Sequence, residues 1–194
     1  MKMIKQVIFA IGFGFMLFAC EQSEEVYPKP LSAMKIDFPE KNFDKTVTKC
    51  SYSFLTSTYT EIDSSRDMCN LNLNYTALNA TLFLTYIPID TGLQFHIETA
   101  RKMVYDHSIK ADAIEEKTIL NPKQNVFGTA YKLIGNSASN YQFYVTDSIQ
   151  HFLRGALYFN CPPNYDSLKP SIEFLLPDVD TLVNTLQWSA INEI

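Results

Sequence analysis

The segment Thr146-Asp147-Ser148-Ile149-Gln150-His151 brings a carboxylate, a serine and a histidine within five residues. Such side chains could run acyl transfer, with serine as nucleophile and histidine as base, if the fold turned them into one cleft. Neighbours in sequence rarely meet in that way, and the chain has no Gly-x-Ser-x-Gly elbow to present the serine. Asp147 and Ser148 lie between two strand-like runs, which predicts a turn where Asp147 accepts from backbone amides and His151 packs or caps. His96 and His107 share one helical face but stand about 16 Å apart along its axis, so one metal cannot bridge them. Glu115-Glu116 reads as a solvated charge run. No catalytic residue, metal site or cofactor is expected.

The four cysteines carry a different chemistry. Lys2 and Lys5 precede an apolar run from Val7 to Ala19 that is too short to span a bilayer, followed by Leu17-Phe18-Ala19-Cys20 at its end. This is the pattern of a lipoprotein signal, with residues 1–19 removed and Cys20 carrying the lipid, palmitate among its acyl chains. Cys50, Cys69 and Cys161 then remain, and three thiols cannot all pair within one chain. Cys50 and Cys69 flank the polar stretch Thr56 to Asp67, whose closure by a disulfide would contribute about 3 kcal/mol. The alternative is three reduced, partly buried thiols.

Loss of the two signal lysines leaves a mature chain with a net charge of about −7. Nucleic-acid binding would need a basic face, and only Arg101-Lys102 crowd at all. With 14 Phe and 11 Tyr, the chain can fill one sizeable core. Residues 20–33, with Glu21, Glu24, Glu25 and Tyr27-Pro28-Lys29-Pro30, read as a lipidated tether, and 34–194 as a single domain.

Period-two alternation places the elements that must position these residues. Leu71, Leu73 and Tyr75 oppose Asn70, Asn72 and Asn74, and Leu82, Leu84 and Tyr86 repeat the pattern after a turn near Leu78-Asn79, predicting a hairpin. Further strands are expected at 34–38, 52–55, 126–134, 141–146 and 154–159, with Gly135-Asn136 supplying positive φ angles between the 126 and 141 segments. Leu93, Ile97, Ala100 and Val104 form one helical stripe. Leu168, Ile172, Leu175, Val179, Leu182 and Leu186 form a second, predicting one helix over 167–187 that continues through Pro177, is capped by Asp166 or Ser167, and is closed against the sheet by Trp188. The result is an α+β fold, a largely antiparallel sheet of about six strands flanked by helices. Its element order is similar to the Mog1/PsbP-like arrangement.

Several blocks together carry a family likeness: the lipobox, Tyr27-Pro28-Lys29-Pro30, Cys50-Ser51-Tyr52-Ser53-Phe54, Cys69, Lys110-Ala-Asp-Ala-Ile, the runs Phe143 to Ser148 and His151 to Asn160, and the opening of the last helix at Asp166-Ser167-Leu168. Over nearly its whole length the chain resembles the gliding motility lipoprotein GldD family. The resemblance implies a membrane-anchored, non-enzymatic component required for gliding and linked to type IX protein secretion, acting as an assembly or stability factor. Its implied partners are other gliding and type IX secretion envelope proteins, with the bilayer reached through the lipid on Cys20, and it would sit in the envelope facing the periplasm. The alternative is a module binding a small envelope ligand, a glycan or lipid fragment. Asn140, Tyr144, His151 and Arg154 are the candidate ligand or partner surface, with Tyr141 to Tyr144, Phe152 and Tyr158 as an aromatic docking edge.

Overall fold

The computed structural model describes residues 37–64, 69–90 and 92–189. The expected signal segment 1–19, Cys20 and the tether 20–33 lie outside the described residues, as do positions 34–36 of the strand expected at 34–38. Asp37 and Phe38 are irregular, and the first strand comes later, at Phe43–Val47 (β1).

Seven strands form one antiparallel sheet in the order β3-β4-β5-β9-β8-β7-β6. They are β3 (Glu61–Asp63), β4 (Leu71–Tyr75), β5 (Ala80–Pro88), β6 (Ala111–Asn121), β7 (Val126–Gly135), β8 (Ser139–Thr146) and β9 (His151–Phe159). β1, β2 (Tyr52–Ser57) and β10 (Gln187–Trp188) make a second sheet of three, with β2 in the middle. The expected six strands therefore become seven and three. The missed members have a common cause: β3 and β10 are too short to show a period, and no residue of β6 is buried, so its two faces do not alternate. β6 lies at an edge, and its Glu115, Glu116 and Lys117 are the charges that keep an edge strand from pairing with other chains.

The expected hairpin forms with Leu73 opposite Leu82. A 3-10 turn over Thr76–Leu78 joins its strands and ends at Asn79 with φ 50. The β6–β7 connection repeats the device with Pro122–Gln124 and Asn125 at φ 52; asparagine is the side chain that best tolerates this left-handed region. Between β7 and β8 only Gly135 has a positive φ, 111, whereas the Asn136 side chain instead accepts from the Tyr165 amide.

The alternation assigns each residue of the large sheet to a face. Leu73, Leu82, Leu84, Leu153, Leu157 and Phe143 line the inner face and are fully buried. A close approach is built into this face, because a Cβ on Gly155 would lie 2.1 Å from the Phe143 ring across the strand pair. The long helix α2 (Tyr165–Thr185) runs beside β2 and covers this face with Ile172, Leu175, Val179 and Leu182. Asn164, one position ahead of the helix, caps it by accepting from the Ser167 amide, in place of the expected Asp166 or Ser167. Pro170 and Pro177 both lie inside the helix, which continues through them.

On the outer face, α1 (Leu93–Asp106) packs Ala100 and Val104 against Tyr131, Leu133, Tyr144 and Phe152. Ring contacts hold both ends of α1 to β9, His96 against Phe152 and His107 against Tyr158. The helix thus stands over the β9–β7 half of the sheet, and the β4–β5 half carries Asn72, Asn74 and Phe83 toward solvent.

Candidate functional site

The tight connection between β8 and β9 places the segment with the most chemical potential. The Asp147 carboxylate accepts three backbone amides, from Ile149, Gln150 and His151, at 2.8–3.0 Å. Burial by itself would raise this carboxyl, but the three amide bonds outweigh it and hold the group below its ordinary value. Ser148 adopts φ 71 and is exposed. His151 is turned the other way, onto the inner side, where Nδ1 lies 2.8 Å from the Tyr86 hydroxyl. Trp188 stacks on its ring with centroids 5.0 Å apart and planes 8° from parallel. Desolvation lowers the His151 pKa despite Asp147 nearby, which favours the neutral imidazole. This geometry commits serine, histidine and carboxylate to separate tasks: a left-handed turn, a buried stack and an amide cap.

Trp188 also donates through Nε1 to the Asn125 carbonyl at 3.0 Å. Beside it an open polar concavity of about 350 Å³ is lined by Lys123, Gln124, Asp147, Gln150, His151 and Trp188, among others.

The structure separates the four residues nominated from sequence. Asn140 is buried and donates from Nδ2 to the carbonyls of Leu133 and Gly135, clamping the β7–β8 turn. Tyr144 and Arg154 are cross-strand neighbours on the outer face, with the Tyr144 ring stacked on Phe152 at 5.5 Å. His151 is on the opposite face. Tyr141, Phe143, Tyr144 and Phe152 are core, so the expected aromatic docking edge is interior; Tyr158 alone of that group is half-exposed. Cys50 and Cys69 are joined by a disulfide with an S–S distance of 1.97 Å, and Cys161 is free and exposed.

One buried polar cluster, centred on Asp178 of α2, has no counterpart among the motifs read from the sequence. Asp178 is only 2% exposed, and its carboxylate accepts from Lys41, Ser57 and Tyr59. Lys41 donates as well to the Phe174 carbonyl, one residue beyond the Glu173 carbonyl whose amide partner Pro177 removes. Its ammonium also lies 4.1 Å from the Phe174 ring centroid, and Phe38 stacks on that same ring with centroids 4.3 Å apart. Burial and hydrogen bonding to Asp178 raise the Tyr59 pKa, so the phenol stays a donor. The partners lie up to 137 positions apart in sequence, so no local pattern could have signalled them.

Fold and site together define an antiparallel α+β domain with its polar groups largely committed to holding turns and helices. Among the described residues no helix is long and apolar enough to cross a membrane. The sequence profile of the family described as gliding motility lipoprotein GldD matches residues 23–188. The chain belongs to that family, which makes it a lipoprotein of gliding motility with a membrane-associated place in the envelope. No curated protein matches it.

Proposed function

We propose that the chain is a non-enzymatic assembly or stability factor, held to the envelope membrane by a lipid on Cys20, facing the periplasm and associated with type IX secretion. The observation that carries this reading is family membership over residues 23–188. The β8–β9 connection supports it, since Asp147 and His151 stabilise their own loop and stack rather than activating Ser148. Its partners are other gliding and secretion proteins of the envelope.

Crosslinking in intact cells, with Cys20→Ala as control, tests the proposal. Secretion or motility components should be recovered with the native protein and lost with the folded but unanchored variant. A native protein that crosslinks to nothing, or a variant that stays on the membrane without its partner, would sink the reading.

The alternative, recognition of a small envelope ligand, is favoured by one observation: the polar concavity beside Trp188.

A further inference from the structure

Arg154 is a half-buried cation of the outer face whose side-chain acceptor is an amide. Its guanidinium donates to Gln142 Oε1 at 2.7 Å, and no carboxylate pairs with it among the described residues. The withdrawal from water has a structural cause. Arg154 lies on β9 between Phe152 and Tyr158, the two residues that meet the ends of α1, and so in the angle between helix and sheet. Burial lowers its pKa, the direction expected of a cation drawn out of water.

The groups around it are placed with equal definition. Gln142 accepts from Arg154 through Oε1, and the Tyr158 hydroxyl lies 3.3 Å from His107 Nε2, so the groups flanking the guanidinium are held by contacts of their own. Phe83, opposite Ala156 on the adjacent strand, packs edge-on against Tyr158 at 5.6 Å and remains 39% exposed. Asn72 stands opposite Phe83 and continues the floor with a planar amide. A half-buried cation, an open aromatic ring and the Asn72 amide on one sheet face match a carboxylated sugar: the carboxylate takes the arginine fork, the C–H face of the pyranose lies on the ring, and a hydroxyl meets the amide.

We infer that the outer-face surface left uncovered beside α1, formed by Arg154, Tyr158, Phe83 and Asn72, binds an acidic pyranose, such as a uronate unit of an envelope glycan. This surface is on the opposite face from the Trp188 concavity, and the inference does not depend on the assembly role.

The test is calorimetric titration of the detergent-solubilised full chain with a three-residue galacturonate oligomer, using neutral maltotriose and N-acetylphenylalanine as comparison probes. Galacturonate should bind saturably and more weakly as salt rises, with maltotriose at least roughly tenfold weaker. Arg154→Lys keeps the charge but loses the fork and should weaken galacturonate by roughly tenfold. Phe83→Ala removes an exposed ring without opening the core and should do the same, which keeps the test decisive if the arginine variant folds poorly. Equal binding of the two oligosaccharides, no binding by folded wild type, or an unchanged affinity in Phe83→Ala would overturn the inference. Preference for N-acetylphenylalanine would overturn the sugar assignment in favour of a peptide terminus.

Discussion

Asp178 and Arg154 are both charges drawn out of water, one over each face of the same sheet, and their surroundings treat them in opposite ways. Asp178 meets a cation and two hydroxyl donors, so its desolvation is offset within the domain. Arg154 meets the Gln142 amide and, among the described residues, no carboxylate, so its charge stays open to something outside. The inner face closes upon itself, joining the segment around Lys41, β2 and α2. The outer face is half covered and keeps one valence free. A buried charge therefore has to be classified by its partners before it is assigned to architecture or to binding.

The largest effect expected from this contrast is at the inner cluster. Asp178→Ala would leave Lys41, Ser57 and Tyr59 without their shared acceptor and should cost about 3 kcal/mol, since removing one side of a buried pair strands the other. Lys41 keeps 29% side-chain exposure and can recover some hydration, which holds the figure at the low end. Urea midpoints at fixed slope measure it, and a loss below about 1 kcal/mol would break the comparison.

Next comes the disulfide, which closes a loop of 19 positions at the start of β2. Cys50→Ser combined with Cys69→Ser should lower stability by about 3 kcal/mol in the chain-entropy account. Reduction of the native protein should reproduce that loss, whereas an unchanged melting curve would show the inner face held by packing alone.

A smaller effect is expected at His151. Because burial lowers its folded pKa, the unfolded chain takes up the proton first, near pH 6.5, and the folded chain only at lower pH. The neutral-histidine contribution is therefore complete above that range and declines as pH falls from about 6.5 toward the folded value. His151→Gln should flatten this part of the stability profile. An unaltered slope in that variant would assign the pH dependence to another group.

The smallest change sharpens the contrast most. Arg154→Met removes a desolvated charge but strands the buried Gln142 Oε1 acceptor, so folding stability should fall by only about 1 kcal/mol. A loss of several kcal/mol in the same denaturation assay would make Arg154 a structural residue like Asp178 and erase the distinction between the faces.

Particular elements show how far the sequence was readable. The Leu71–Leu84 hairpin, both helical stripes and the role of Asp147 were visible because each depends on residues within a turn or two of one another. β6 was not, since an edge strand exposed on both faces has no alternation to read. Tyr141, Phe143 and Phe152 were taken for a docking edge because aromatic density marks cores and interfaces alike, and only burial separates the two.

The local code thus determined the strand and helix periods, the turn chemistry of Asn79, Gly135 and Asp147, and the blocks that mark the family. Tertiary structure decided which face each polar group would occupy and with whom. Lys41 reaches Asp178 across 137 positions, while Arg154, flanked on β9 by the two residues that meet the ends of α1, has no carboxylate partner among the described residues. Pairings of that range are set by the closing of sheets and helices on one another, and solvation follows from that closure rather than from neighbours in the chain.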